Sequence, residues 1–185
     1  MAAQRHSRLA ERRLIAAARR GDQTAQGELF RRHWRPMYRA AYLIVQDATA
    51  AEDVAQEAFL AAIQALDRFD VRRPLGPWLH RISVNRAIDL VRARQLRREV
   101  AGDRVDRESS SVEVDPDEAV GLTDRMVAAL GDLPIDQRAV VVMRYVLDRT
   151  PGEIARALDL PRGTVNSRLR RGLDQLAEAL EEGAA

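Results

Sequence analysis

The stretch TPGEIARALDLPRGTVNSRLRRGLDQL, from Thr150 to Leu176, predicts two short helices joined by a tight turn. Thr150 can cap the first helix, with Pro151 at its first position and Glu153 completing a capping box. The first helix ends before Pro161, because the residue that precedes a proline is pushed out of the helical region. The order of cap, helix, turn and second helix therefore predicts a helix-turn-helix.

The second helix of this stretch has one apolar face and one basic, polar face. Asp159 stands in the turn where such motifs often have glycine, and aspartate tolerates a left-handed backbone better than most residues. The apolar residues recur every three or four positions, at Val165, Leu169, Leu173 and Leu176. Most polar side chains lie away from that line: Arg162, Asn166, Ser167, Arg168, Arg170 and Arg171. Since the DNA major groove admits one α-helix and arginine, asparagine and serine can bind base edges, the pattern favours DNA reading over a hairpin with a solvated basic face.

The size and composition of the chain narrow the remaining possibilities. Its 185 residues have room for one domain or two small ones. The sequence has no cysteine, and His6, His33 and His80 do not have the spacing of metal ligands, so we expect neither a metal site nor a cofactor. We find no secretory segment and no apolar run long enough to span a bilayer, so we expect a cytoplasmic protein without membrane insertion.

Charge is distributed unevenly along the chain, and all 30 basic residues are arginine. Residues 1–100 carry 19 arginines against 11 acidic residues, a net charge of +8. Residues 101–120 carry 2 against 7, or −5, and residues 121–185 carry 9 against 10, or −1. A basic first half and a locally basic second helix predict a polyanionic partner that is contacted at two places.

Helical periodicity without any strand pattern predicts an all-α protein of two small domains, joined by a flexible acidic linker. The domain boundaries are predicted at 8–96 for the first domain, 97–117 for the linker and 118–182 for the second domain. In the first domain we expect helices over 9–20, over 24–46 with a kink at Pro36, from Asp47 or Thr49 to about 69, and over 78–94. Residues 67–77 are expected to form an ordered loop. The second domain is expected to begin with helices from about 117 and over 135–147, the latter buried through Val140, Val141 and Tyr145.

Five blocks of the sequence, in order, resemble the bacterial extracytoplasmic-function (ECF) sigma factors, the promoter-specificity subunits of RNA polymerase. They are FRRHWRPMYRAAY, AEDVAQEAFLAAIQALDRFD, PWLHRISVNRAIDLVR, LPIDQRAVVVMRYV and EIARALDLPRGTVNSRLRR. The resemblance covers nearly everything from Ala16 to Leu180. It implies binding to the clamp helices and flap of core RNA polymerase and to promoter DNA, and it implies no catalytic residue. Family members are commonly held inactive by an anti-sigma factor wrapped around both domains.

The resemblance implies a role for the acidic face of the third helix. Asp53, Gln56 and Glu57 match the helix face that docks on the polymerase clamp helices. From the residues alone, a solvated acidic face is the alternative.

In the first domain the resemblance implies a site that captures a flipped base of the −10 element. Unstacking a base costs a few kcal/mol, so the opened strand needs a base pocket and cations for its phosphates. Phe69 and Trp78 could instead be ordinary core aromatics, and the arginines could be merely solvated. The residues that match this site are Ala65, Phe69, Arg72, Arg73, Trp78, Arg81, Asn85 and Arg86, with Arg92 as a further phosphate contact.

In the second domain the resemblance implies a helix that reads the −35 element as duplex DNA. The sequence leaves open which of its residues contact bases and which contact phosphates. The matching residues are Arg162, Thr164, Asn166, Ser167, Arg168, Arg170 and Arg171.

Two other classes of protein stay open at this point. A stand-alone helix-turn-helix regulator would bind a duplex operator as a dimer, but we find no obvious dimerising heptads. In an enzyme, Asp53 and Glu57 could act as paired carboxylates. Neither a histidine nor a glycine-rich loop accompanies them in the sequence.

Overall fold

The structure is a computed structural model that describes residues 2–101 and 123–182. Within these ranges it consists of helices and connecting turns without a strand, which confirms the predicted all-α class. The helices are α1 (Ala2–Arg19), α2 (Gln23–Val45), α3 (Ala48–Gln64), α4 (Leu75–Ala101), α5 (Asp124–Asp132), α6 (Ile135–Tyr145), α7 (Pro151–Leu158) and α8 (Arg162–Glu182). A short 3₁₀ helix, Leu66–Arg68, follows α3. We call α1–α4 the front domain and α5–α8 the rear domain.

Aspartate caps fix where α2 and α3 begin. The Asp22 carboxylate accepts a hydrogen bond from the Ala25 N–H at 3.1 Å, and Asp47 accepts one from the Ala50 N–H at 3.0 Å. Each cap satisfies an N–H that has no partner inside the helix. Asp47, and not Thr49, is therefore the residue that starts α3.

Helix α4 is longer at both ends than the sequence predicts. It begins at Leu75 and not at Trp78, because Pro77 lies in the first turn, where its missing N–H is not needed. It continues to Ala101, so residues 97–101, predicted as linker, are helical. Their arginine, glutamate and alanine side chains favour helix. Helix α1 likewise begins earlier than predicted, in an alanine- and arginine-rich segment.

The rear domain begins, in the part of the chain that the structure describes, at a threonine cap. The Thr123 hydroxyl accepts a hydrogen bond from the Met126 N–H at 3.3 Å, and α5 follows. The predicted linker residues 102–117 and the predicted domain start at 118–122 lie outside the described residues. In α6, Val140 and Val141 are buried as predicted. Tyr145 is not: 60% of it is exposed, since the inward face of α6 ends two residues earlier at Met143.

The front domain has a core formed by all four of its helices. Phe30 meets Phe59 edge-on at 5.1 Å between ring centroids, and the buried Ser83 hydroxyl donates to the Met37 carbonyl at 3.2 Å. The large buried members of this core are Ile15, Leu29, Met37, Phe59, Leu66, Phe69, Leu75 and Leu79.

A second apolar cluster joins the two domains. Side chains of α2, α3 and α4 pack in one continuous group with those of α5–α8. The sequence predicts two domains joined by a linker, and the structure adds a buried contact between them that periodicity alone does not reveal. Prominent members are Leu43, Ile44, Val84 and Ile88 from the front domain and Leu130, Val140, Met143 and Ile154 from the rear domain.

His80 lies at this junction and should make stability depend on pH. It is 7% exposed, and its Nδ1 lies 3.4 Å from Nη2 of Arg149 in the rear domain. Burial, and then the Arg149 charge, lower the pKa of His80 from 6.5 to about 4. Above pH 6.5 both folded and unfolded chains hold a neutral imidazole. As pH falls from 6.5 towards 4, the unfolded chain takes up a proton that the folded chain does not, so stability falls.

We therefore expect the free energy of unfolding to decrease by up to about 3 kcal/mol as pH falls through this window. Urea titrations at a series of pH values measure the decrease. His80→Gln should remove most of the slope, because glutamine does not titrate. An unchanged slope in that variant would show that other groups cause the pH dependence.

Candidate nucleic-acid interface

The helix-turn-helix begins at the predicted capping box. The Thr150 hydroxyl accepts a hydrogen bond from the Glu153 N–H at 3.3 Å, and the Glu153 carboxylate accepts one from the Thr150 N–H at 2.9 Å. Hydrogen bonds from the Thr150 N–H and hydroxyl lower the pKa of the Glu153 carboxyl. The box fixes the start of α7 and therefore the direction in which the chain enters the motif.

The turn between α7 and α8 uses the aspartate that the sequence places there. Asp159 has a φ of 52°, in the left-handed region. The Leu160 N–H donates to the Ala155 carbonyl at 2.9 Å, closing the end of α7. Because the chain reverses within these residues and Pro161, α8 begins at Arg162.

One face of α8 packs on α6. Val165 and Leu169 are buried as predicted, but Gly172 takes the next buried position, while Leu173 is 38% exposed. A Cβ at residue 172 would lie only 3.0 Å from Cγ2 of Val141, so glycine allows the two helices to approach closely. The buried face of α8 therefore includes Gly172 in place of Leu173, and Leu173 lies towards the exposed face.

The opposite face of α8 carries most of the residues predicted to read DNA. The Ser167 hydroxyl donates to the Thr164 carbonyl at 3.0 Å, and Arg171 Nε donates to the Ser167 carbonyl at 3.3 Å. Thr164 is half-buried. The residues of this set that are exposed are Arg162, Asn166, Ser167, Arg170 and Arg171. We call these five residues the α8 basic face.

Arg168 differs from the other residues predicted to read the −35 element. Its side chain is only 22% exposed, and its Nη2 lies 2.8 Å from Oδ2 of Asp136 on α6. Asp136 Oδ1 also pairs with Nη2 of Arg92, on α4 of the front domain, at 2.8 Å. A DNA contact by Arg168 stays a prediction, and it requires the Asp136 pair to break.

The loop between α3 and α4 holds the first group of residues predicted for the −10 element. The side chains of Arg72 and Arg73 are 84% and 82% exposed. Arg72 Nε donates to Asp70 Oδ1 at 3.0 Å, and this bond lowers the pKa of the Asp70 carboxyl. The two guanidinium groups are therefore at the surface, and each lies within 4.0 Å of the Asp70 carboxylate.

The aromatic pair of this loop belongs to the front-domain core. Phe69 is 6% exposed, and its ring centroid lies 4.9 Å from that of the half-buried Trp78. Ala65 ends α3 and is half-buried. In this structure Phe69 is therefore a core aromatic, as the alternative interpretation of the sequence expects. A base contact by either ring stays a prediction.

Helix α4 holds the remaining residues predicted for the −10 element, and two of them already have partners. Arg81 is exposed. Asn85 Nδ2 donates to the Ala157 carbonyl of α7, in the rear domain, at 3.4 Å. Arg86 Nη1 pairs with Glu57 Oε2 at 2.7 Å.

Helix α3 presents the predicted polymerase-docking face to solvent. Asp53, Gln56 and Glu57 are exposed, and Gln56 Nε2 donates to Glu52 at 3.0 Å. Leu60, one turn further along the same face, is 62% exposed. We did not predict a role for Leu60, although its position three and four residues after Glu57 and Gln56 places it on this face.

Within the described residues there is no group of three or more histidine, aspartate or glutamate side chains that could hold a metal ion. Asp53 and Glu57 are exposed on α3, and neither belongs to such a group among the described residues. None of the described helices combines the length and the apolar character needed to cross a bilayer.

Comparison with known proteins gives matches in both domains. The family model of sigma-70 region 2 matches residues 29–97, and that of sigma-70 region 4 matches residues 123–176. The ECF RNA polymerase sigma factor SigW of Bacillus subtilis is 32% identical over 178 residues, 91% of this chain and 95% of SigW. SigM of Mycobacterium tuberculosis H37Rv is 35% identical over 176 residues, 95% of this chain and 87% of SigM.

Among solved structures, CnrH in complex with the cytosolic domain of CnrY has a TM-score of 0.67 to this chain at 32% identity. The match covers 94% of this chain and 98% of CnrH.

A sigma-70 region 2 followed by a sigma-70 region 4 defines a promoter-specificity factor of RNA polymerase and supports neither a stand-alone regulator nor an enzyme. The extent of the identity to SigW and SigM places the chain more narrowly. It belongs to the ECF sigma factors.

The geometry of α8 predicts different roles for Asn166 and Arg170. N-terminal residues of a recognition helix reach base edges, so Asn166, near the start of α8, should contact a base. Arg170, one turn later with an 86% exposed side chain, should contact a phosphate. Asn166→Ala should weaken promoter binding by about 1–3 kcal/mol and relax specificity at one base pair. Arg170→Ala should weaken binding to all DNA sequences alike. It should also lower the slope of log affinity against log salt concentration by about 0.9.

Promoter affinity of the polymerase holoenzyme, measured across a KCl series and a set of point-substituted −35 elements, tests both roles. Equal salt slopes for Arg170→Ala and the unaltered chain would contradict the phosphate assignment. Unchanged specificity in Asn166→Ala would contradict the base assignment.

Proposed function

We propose that the two domains divide promoter recognition between them, with the α8 basic face reading the −35 element as duplex DNA and the front domain holding the −10 element as an opened strand. The observation that carries this proposal is the row of exposed polar side chains on α8 opposite the face that packs on α6. A helix with exposed arginine and asparagine side chains near its start fits the major groove.

The front domain suits a single strand better than a duplex. Three exposed cations predicted for this element, Arg72, Arg73 and Arg81, are spread over a loop and the start of α4, not along one groove-filling helix. Loop arginines can follow the phosphates of a flexible strand, and an extruded base needs a pocket beside them. Phe69 and Trp78 contact each other at this place, and together with Ala65 at the end of α3 they are the proposed pocket wall.

Docking on core polymerase is assigned to α3. Asp53, Gln56 and Glu57 present polar and acidic groups, and Leu60 adds an exposed apolar side chain on the same face. A protein interface with a central apolar anchor inside a polar rim is the common pattern of a stable contact. The clamp helices are the proposed partner of this face, and the flap is the proposed partner of the rear domain.

The chain itself supplies recognition, while the polymerase supplies the bond chemistry. Two weak DNA readers on one scaffold gain affinity through effective concentration, so the free chain should bind promoter DNA poorly. Since core polymerase and promoter DNA are cytoplasmic in bacteria, the cytoplasm is the proposed site of action. CnrH forms a complex with the cytosolic domain of CnrY, and we propose an anti-sigma factor as a comparable partner here.

In vitro transcription with bacterial core RNA polymerase tests this function. The templates carry randomised −35 and −10 segments, and sequencing of the transcribed templates identifies the promoter. We expect specific transcripts only when the chain is added. The double variant Asp53→Arg, Gln56→Ala should abolish them, because it reverses a charge and removes an amide on the docking face.

The matched control is Glu178→Arg, which reverses an exposed charge on α8 far along the helix from its N-terminal residues. It should retain transcription. Equal loss in the control would show that any charge reversal is harmful and would remove the support for docking through α3. Selection of a duplex site by the chain alone, without transcripts, would favour a stand-alone regulator.

A further inference from the structure

An arginine of α1 is hydrogen-bonded to the chain segment that joins α3 to α4. Arg19 Nε donates to the Leu66 carbonyl at 3.1 Å, and its Nη2 donates to the Phe69 carbonyl. Leu66 begins the short 3₁₀ helix after α3, and Phe69 is the residue that ends it. Because the donors of a guanidinium are fixed in one plane, Arg19 sets the position of both carbonyl groups at once.

A second arginine of α1 contacts the same segment. Arg12 lies seven residues before Arg19, on the same face of the helix, and its Nε donates to the Val71 carbonyl at 3.1 Å. The contacted carbonyls, at positions 66, 69 and 71, extend from the end of α3 to the residue before Arg72. Hydrogen bonds from a charged donor are stronger than those between neutral groups. Helix α1 therefore supports this segment along its length.

The end of α1 that carries Arg19 is itself held in place. Ile15 and Ala18 are 1% and 3% exposed in the front-domain core. Gln26 Nε2 donates to the Ala18 carbonyl at 3.2 Å, which ties the last turn of α1 to the start of α2. Gly21 follows with a φ of 84°, in the left-handed region, and ends α1 beside the Asp22 cap. Arg19 therefore starts from a packed backbone.

The supported segment leads into the residues proposed to capture a base. The Phe69 ring packs against Trp78, and Arg72 and Arg73 follow at exposed positions. The N–H groups of Arg72 and Arg73 donate to the carboxylate and the carbonyl of Asp70, each at 3.0 Å. These local bonds shape the turn, whereas the α1 arginines fix where it lies against the core. A site that is ordered before its ligand binds avoids the cost of ordering on binding.

We propose that Arg19, assisted by Arg12, is a positioning residue for the −10 element, which holds the segment between α3 and α4 in the shape that captures an extruded base. This inference rests on the −10 function proposed above. Both arginines act through backbone carbonyls of the segment. Without them the segment samples other shapes, and the apparent affinity for the opened strand falls with the fraction of molecules in the competent shape.

Hydrogen exchange in the free chain tests the positioning without DNA or polymerase. Arg19→Met removes the donors but keeps a long apolar stem, and Arg13→Met is the matched control, since it removes the same charge from an exposed position of α1. We expect the Phe69 and Arg73 amides to exchange at least about fivefold faster in Arg19→Met and at an unchanged rate in the control, because the segment opens locally more often. Equal rates in the two variants would overturn the proposal.

Selectivity for the opened strand tests the consequence. The probe is a fluorescein-labelled single strand with the −10 segment selected by the transcription assay, and the reference is a strand with that segment scrambled. We expect the holoenzyme with Arg19→Met to lose about tenfold in the affinity ratio of the two strands, while Arg13→Met keeps it. Arg12→Met should have a smaller effect, since its single bond is exposed. Affinity for a duplex −35 element should not change in any of them, because α8 is unaltered; a general loss of folding would lower it.

The conservative variant Arg19→Lys separates the geometry of the guanidinium from its charge. Lysine keeps the charge but has no planar pair of donors, so we expect a selectivity about threefold or more below that of the unaltered chain. Full selectivity in Arg19→Lys or in Arg19→Met would overturn the proposal and leave the −10 function standing. An unaltered holoenzyme that does not prefer the selected strand would overturn the −10 function, and this inference with it.

Discussion

The arrangement of the helices depends on the backbone carbonyl groups to which the Arg138 guanidinium donates hydrogen bonds. The last carbonyls of an α-helix have no partner within the helix and carry the negative end of its dipole. Ile44 and Gly131 lie at the ends of α2 and α5, and Leu133 follows α5 directly. Arg138 donates to all three carbonyls, so one side chain satisfies two helix ends from different domains. Burial lowers the pKa of Arg138 to about 10, which leaves it charged at neutral pH.

This position of α6 determines where the recognition helix lies. Gly172 allows α8 to pack closely on α6 beside Val141, and Asp136, two residues before Arg138, reaches Arg168 on α8 and Arg92 on α4. The residues that hold the domains together and those that hold α8 in place are therefore neighbours on one helix. Helix α6 therefore contributes both to the domain contact and to the position of the α8 basic face.

Local sequence signals were sufficient for the helix-turn-helix but not for the contact between domains. The capping box at Thr150, the left-handed Asp159 and the exposed face of α8 follow from rules that act within a few residues. Arg138 bonds a carbonyl 94 residues away, and no local pattern distinguishes it from a solvated arginine. Leu173 was placed on the apolar line of α8 because of its helical spacing; it is 38% exposed, and close packing against α6 buries Gly172 instead.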